Sequence, residues 1–246
     1  MSAWTVFVDF DGTITDVDTF DVLVRHFAGP QAWAQTEIGL DDGTTSLRDV
    51  LQRQASYVRA PYDDVAALLR REVTVDPSFA PFVAECRLRR IPITVLSSGI
   101  APIVADRLAR IGCGDVPIIA NDVDTRLTGW TIRFRDAVGN GTDKAAIVRT
   151  ARAAGRATVF VGDGRSDYAA ALEADRRFAK SGHNLQRFLS ARGSAYEAFA
   201  SFADVRAALF APPGVTTECT GYDLATSRLA RSCPEDMSLR IAIGDP

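Results

Sequence analysis

The chain has 246 residues, 47% of them apolar and 24% charged, with a net charge of −3 and no sustained basic block. Such a balance suits an ordinary globular protein with one large core plus an inserted lobe; it gives no sign of a disordered chain, a membrane-spanning bundle or an electrostatic footprint for nucleic acid. No N-terminal stretch joins basic residues to an apolar run and a cleavage site, so the expectation is a cytoplasmic protein with a small-molecule partner, no nucleic acid and no membrane.

The first element is an apolar run from Trp4 to Val8, read as a buried strand, and directly after it stand Asp9-Phe10-Asp11-Gly12-Thr13. A strand ending in Asp-Phe-Asp sends two carboxylates out of one sheet edge, where one can attack an electrophile and the other can manage protons. Helical periodicity follows in Phe20, Leu23, Val24 and Phe27, with Gly29-Pro30 expected to break it. Further helices are expected at about 45–59 and at 62–72, the latter opened by Pro61 with Asp63 and Asp64 in its first turn. Residues 15–76 therefore read as an all-helical insertion.

From about 77 onward helices and strands alternate. The expected order is a helix to Arg90, a strand at Pro92 to Leu96, a helix from Ala101 to Ile111, a strand at Pro117 to Ala120 and a hairpin around Leu127 to Trp130. A helix from Thr142 to Ala154, a strand at Ala157 to Val161, a helix near Asp167 to Ala174 and a strand around Arg177 to Ala179 complete the pattern. This is βα repetition, which predicts an α/β fold, a doubly wound, Rossmann-like parallel sheet with a helical cap inserted after its first strand. Residues 1–14 and 77–210 form the expected core domain, and 211–246 read as a tail without hydrophobic period.

Three further segments fall where strands end. Ser97-Ser98-Gly99 offers hydroxyls and backbone N–H groups ahead of a helix, which suits a phosphate oxygen. Lys144 opens a helix, an unfavourable place for a cation by the helix dipole, so a functional reason is attractive. Only two lysines occur, Lys144 and Lys180, among 28 basic residues; where arginine is the default cation, a surviving lysine points to a need for a compact ammonium. Lys180 is read instead as a chance survivor. Val161-Gly162-Asp163-Gly164-Arg165-Ser166-Asp167 is a strand running into an acidic, glycine-flanked loop whose two carboxylates can hold a hard cation such as Mg2+ and its water shell. The cysteines Cys86, Cys113, Cys219 and Cys233 are too scattered for a zinc site or disulfide framework, and Cys86 and Cys113 read as core thiols. Neither His26 nor His183 is given a role.

Taken in order, Asp9 to Thr13, Ser97, Lys144 and Gly162-Asp163 through Asp167 resemble the four motifs of the haloacid dehalogenase-like superfamily, over roughly residues 5–180. The resemblance implies that Asp9 is a nucleophile forming an aspartyl-phosphate and Asp11 a general acid/base. It implies phosphate ligands at Ser97, Ser98 and Gly99, and Lys144 as both catalytic charge neutraliser and phosphate ligand. It further implies a magnesium site of Asp163 with the Asp9 carboxylate and the Asp11 backbone carbonyl, in which Asp167 orders metal-bound water or Lys144. The presence of Asp11 disfavours dehalogenation, and the absence of any lysine before Lys144 excludes Schiff-base phosphonate hydrolysis.

An insertion straight after the first motif resembles the phosphoserine phosphatase branch. Within it, Asp18 and Ser46-Leu47 with Arg53 look more like the methionine-salvage phosphatases acting on 2-hydroxy-3-keto-5-methylthiopentenyl-1-phosphate, although the cysteine-rich stretch of those enzymes is missing. Phosphoserine hydrolysis, phosphate transfer to another alcohol and a non-catalytic phospho-ligand-binding role are the alternatives. The expectation is a magnesium-dependent phosphatase of a small phosphorylated metabolite, with Asp18, Arg48 and Arg53 as cap contacts to substrate.

Overall fold

The computed structural model describes residues 4–40 and 43–211. Most of the expected tail thus lies outside the described residues, as do Cys219 and Cys233.

Seven strands form one sheet: β1 (Trp4–Val8), β2 (Ile93–Ile100), β3 (Ile118–Asp124), β4 (Thr131–Arg133), β5 (Ala157–Gly162), β6 (Arg176–Lys180) and β7 (Glu197–Phe199), in the order β4-β3-β2-β1-β5-β6-β7. Every pairing is parallel except β3 with β4, which forms the antiparallel hairpin at one edge. Side chains of β1 alternate between two hydrophobic layers, as the two-residue period of a strand requires. Val6 and Val8 pack with Phe79 and Phe82 of α5 (Phe79–Leu88) and Phe202 of α10 (Phe202–Phe210). Phe7 points the other way, to Val148 of α7 (Lys144–Ala153), Ala170 of α8 (Tyr168–Glu173) and Leu185 of α9 (Asn184–Ala191). Helices on both faces of a parallel sheet leave its carboxyl edge open, and Asp9 lies there, fixed by its N–H to the Val161 carbonyl at 2.9 Å.

Between β1 and α5 the described residues of the insertion form α1 (Thr19–Phe27), α2 (Gly29–Thr36), α3 (Leu47–Tyr57) and α4 (Tyr62–Glu72). Gly29-Pro30 does end α1, but the chain restarts at once as α2, with the proline in the first turn where a missing N–H costs nothing. The two linkers of the insertion pair with each other, Asp16 N–H to Thr74 O at 3.0 Å and Asp76 N–H to Ile14 O at 2.9 Å, making a short two-stranded neck. The hydrophobic cluster of the insertion is not made of these helices alone. It joins Phe20, Leu23, Leu51 and Leu69 to Ile103 of α6 (Ala101–Arg110) and to Val123, Trp130 and Ile132 of the β3–β4 hairpin. Trp130 is 1% exposed and donates its indole N–H to the Ala60 carbonyl at 2.9 Å, while its backbone N–H reaches Ala55 O and Val58 O. Burying an indole with its N–H satisfied is what makes a tryptophan an anchor rather than a liability. Cys86 and Cys113 are free, buried thiols. No helix among the described residues is long and apolar enough to cross a membrane.

Candidate active site

The carboxyl ends of β1, β2 and β5 and the first turn of α7 converge on one point. Lys144, 1% exposed, donates to Asp9 Oδ1 at 2.5 Å, to Asp167 Oδ1 at 2.8 Å and to Ser166 Oγ at 3.0 Å. All three donors of the ammonium are thereby used, which the fork of a guanidinium could not do in the same space. Burial alone would strip the proton from Lys144, but the facing charges of Asp167 and Asp9 hold its pKa above the ordinary lysine value. Asp167 is fully buried, and its Oδ2 accepts the N–H groups of Asp163 and Gly164, each at 3.0 Å.

One ammonium does not balance the carboxylates gathered here. Asp9, Asp163 and Asp167 each offer an oxygen within 4.8 Å of one another. Burial and the neighbouring charges of Asp167 and Asp163 push Asp9 well above the carboxylate range despite Lys144, and burial raises Asp167 as well. Hard oxygen donors with surplus negative charge fit a divalent cation such as magnesium. Room for these oxygens comes from two glycines. A Cβ at Gly162 would lie 2.5 Å from Asp167 Oδ2, and one at Gly12, already at φ +73°, would lie 2.5 Å from Asp163 Oδ2.

Asp11 stands apart from that cluster. Its Oδ1 accepts Thr19 N–H at 3.1 Å and Thr19 Oγ1 at 2.6 Å, and its Oδ2 accepts Ser97 Oγ at 3.3 Å. Burial raises its pKa even though the bonds from Thr19 and Ser97 oppose the shift, the direction that favours a general acid. Ser97 Oγ in turn accepts Gly99 N–H at 2.8 Å. Ser98 is buried with no partner for its Oγ among the described residues, yet it lines the cavity above Asp9.

That cavity, about 300 Å3, is bounded below by Asp9, Asp11, Ser98 and Asp163 and above by residues of the insertion. Asp18 lines it, and also caps α1 by accepting the N–H groups of Phe20 and Asp21. Arg48 and Arg53 do not line it. Arg48 turns away, donating to the Asp136 carbonyl at 2.7 Å with its guanidinium over Phe134, and Arg53 is exposed to solvent. The cavity face of α3 is instead Leu47, Val50, Leu51 and Gln54.

Two residues dismissed on sequence grounds belong to the site. Lys180, at the end of β6, donates to the carbonyls of Gly12 at 2.6 Å and of Thr13 and Thr15 at 3.3 Å, so it ties down the turn that carries Asp11. His183 Nδ1 lies 2.9 Å from Asp163 Oδ2, and Thr13 Oγ1 donates to the other oxygen of Asp163 at 2.9 Å. The carboxyl-edge rule that located Asp9 and Asp163 applies equally to β6 and to the loop after it, so the same signal reaches both residues.

Residues 6–172 match the family described as haloacid dehalogenase-like hydrolase. The chain belongs to this family. Among its relatives is a 2-hydroxy-3-keto-5-methylthiopentenyl-1-phosphate phosphatase of Brevibacillus brevis, 34% identical over 72% of this chain and 82% of the relative. A polyol phosphate phosphatase of Saccharomyces cerevisiae is 26% identical over 83% of this chain and 91% of its own length. A solved phosphoserine phosphatase, captured as an analogue of the phospho-aspartyl intermediate, superposes with a TM-score of 0.64 at 17% identity, covering 83% of this chain and 97% of that one, and shares the fold. The expectation of a haloacid dehalogenase-like phosphatase, a phosphoric monoester hydrolase, is met by these findings.

Proposed function

We propose that this chain is a magnesium-dependent phosphatase that hydrolyses a small phosphorylated metabolite through an acyl phosphate, an aspartyl-phosphate, on Asp9. The observation that carries this reading is the buried junction of Asp9, Lys144 and Asp167 beneath a cavity that also presents Asp11 and Ser98. Asp9 and Asp163 would hold the cation with the Asp11 carbonyl, and Asp167 would fix Lys144 and the metal-bound water. When bound, magnesium supplies positive charge that offsets repulsion between a carboxylate and a phosphate dianion.

The residues divide the work as follows. Ser97, Ser98 and the Gly99 N–H receive phosphate oxygens, and Lys144 neutralises both Asp9 and the incoming phosphate. Asp9 attacks phosphorus; the P–O bond to the leaving alcohol breaks as the Asp9–phosphorus bond forms. Asp11, whose pKa burial raises, protonates the leaving oxygen. The resulting Asp11 carboxylate then takes a proton from water, which attacks phosphorus and returns Asp9 free with inorganic phosphate. Thr19, through its N–H and its hydroxyl, holds Asp11 in place through both steps. Most of the acceleration is positioning and electrostatics.

The helical insertion, residues 15–76, acts in this reading as the lid that excludes water and selects the leaving group. The Brevibacillus relative and the resemblances at Asp18 and Ser46-Leu47 support a leaving group of the salvage-phosphatase kind. The test is to quench the protein with acid during turnover of a substrate labelled in phosphate. Label retained on wild-type protein, and borohydride conversion of residue 9 to homoserine, is the expected result. Equal label on Asp9→Asn, or phosphate release indifferent to magnesium, would overturn the proposal.

A further inference from the structure

The cap side of the cavity is acidic, and its carboxylates are half committed. Asp18 Oδ1 accepts the N–H groups of Phe20 and Asp21, Asp21 Oδ1 accepts the indole N–H of Trp33 at 2.5 Å, and Glu37 Oε1 accepts Gln54 Nε2 at 3.1 Å. The second oxygen of each has no hydrogen bond among the described residues. A carboxylate is an acceptor only, so what these oxygens take from a ligand is a donated proton. Burial and mutual repulsion raise the pKa of Glu37 through Asp21, against the opposing charge of Arg165, and burial raises Asp21. Arg165 also lines the cavity and its charge acts on Glu37, and the imidazole of His183 is already at Asp163. The acidic wall does not stand alone as a sign of a ligand: Ser98, sealed and without a partner for its hydroxyl, lines the floor of the same cavity.

We infer that the wall formed by Asp18, Asp21 and Glu37 selects phosphate esters whose alcohol carries further hydroxyl or ammonium donors and no carboxylate. This rests on the phosphatase reading and narrows it. A hydroxyl-bearing or amino alcohol completes the acceptors left open on the cap. An α-carboxylate would bring a further anion against the acidic wall, where the charge of Arg165, on the core side of the cavity, is already set against Glu37. A cavity of about 300 Å3 also limits the alcohol to a few carbons beyond the phosphate. Phosphoserine, whose phosphatases share this fold, is thereby disfavoured as the substrate of this chain.

The experiment compares two pairs of esters that differ by a carboxylate: glycerol 3-phosphate with 3-phosphoglycerate, and phosphoethanolamine with phosphoserine. In the wild-type protein kcat/KM should favour the member without carboxylate by about a hundredfold, since juxtaposed like charges are strongly selected against. In Glu37→Gln and Asp21→Asn, which keep shape and remove a charge, the preference should shrink about tenfold per substitution. Whether glycerol 3-phosphate or phosphoethanolamine is turned over faster tells whether hydroxyl or ammonium is the donor received. Calorimetric binding of the same four esters to Asp9→Asn reads the preference without turnover. No hydrolysis of any ester, with the binding preference intact, would strike the phosphatase reading and leave the inference standing. Carboxylate-bearing esters processed and bound within threefold of their partners, or preferences unmoved in both variants, would overturn the inference itself.

Discussion

The floor and the roof of the cavity are built by different rules. On the floor, each acidic side chain is held at both oxygens or by a buried cation: Asp167 by Lys144 and two backbone N–H groups, Asp163 by Thr13 and His183, Asp11 by Thr19 and Ser97. On the roof, Asp18, Asp21 and Glu37 are held at one oxygen and, among the described residues, open at the other. Rigid groups over-determined by partners suit a reaction that is the same for every substrate, because catalytic geometry tolerates little displacement. Groups with a valence left over suit recognition of a leaving group that differs between relatives.

The sharpest way to break that contrast is to remove the nucleophile. Asp9→Asn should lower turnover at least about a thousandfold while the fold stays intact, because the amide is nearly isosteric but a poor nucleophile. Unfolding curves and phosphate release on the same preparation check it, and wild-type-like activity would remove Asp9 from the mechanism.

Lys144→Met comes next, because it should cost both activity and stability. It leaves Asp9 and Asp167 buried without their cation, a loss of about 3–5 kcal/mol by precedent for broken buried ion pairs. Denaturant unfolding reads this directly, and a loss below about 1 kcal/mol would mean that the carboxylates take up protons and relax. Lys144→Arg should also fail in turnover despite keeping the charge.

Asp11→Asn should lower kcat/KM for an alkyl phosphate by about a hundredfold or more, and much less for an aryl phosphate whose leaving group needs little protonation. Equal losses on both would make Asp11 a positioning group only.

Smaller effects are expected one layer out. Lys180→Met frees three carbonyls of the turn behind Asp11, and His183→Ala frees one oxygen of Asp163; each should lower kcat about tenfold to a hundredfold, as removal of partners behind a metal ligand does elsewhere. The His183 change should raise the magnesium concentration needed for half activity, and the Lys180 change should not. If the two variants respond to magnesium alike, the division of labour between them is wrong.

The mildest test uses pH. The Asp9 pKa in the folded protein is raised above 3.8. Without a divalent cation the folded state therefore holds a proton that the unfolded state has released, and this contribution to stability is lost as pH rises through the raised value. A bound cation must displace that proton below the raised pKa and only relieves repulsion above it, so magnesium should stabilise the protein more as pH rises. Thermal unfolding with and without magnesium across that range checks the sign; a magnesium shift that shrinks with pH would contradict it.

The contrast between floor and roof also explains what could be read from sequence. Each acidic residue of the floor follows an apolar strand, and a strand's end is legible because its burial is written in consecutive residues, as Trp4 to Val8 and Ala157 to Val161 are. Glycines at 12 and 162 add a second sign, since the carboxylates lie where their Cβ atoms would be. Roof residues sit on helices, where charge tells little about facing. Arg53 is expected at the substrate from the resemblance carried by Ser46-Leu47 and Arg53, and Arg48 as a charged cap residue beside it. Spacing decides otherwise: Leu47, Val50, Leu51 and Gln54 recur at helical period on the cavity side, leaving the two arginines off that face. Glu37 lies after α2, where no periodic pattern reaches. Lys180 and His183 were missed for another reason. Their partners are 165 to 168 and 20 residues away, and only the sheet order brings them together.

The anchoring of Trp130 bears on the proposed lid role of the insertion. The insertion is fastened at the paired linkers of Thr15 and Val75, at the hairpin that holds Trp130 against Ala55, Val58 and Ala60, and at α6, where the Tyr62 hydroxyl reaches the Pro102 carbonyl and Arg70 reaches Asp106. A body held on three elements cannot leave one of them without straining the other two, so opening the cavity by moving the whole insertion would disturb the packing of the Trp130 indole. In a protein whose Trp4 and Trp33 are replaced by phenylalanine, an indole signal that stays constant during turnover is the optical signature of an insertion that keeps its seat, and one that changes is the signature of an insertion that leaves it.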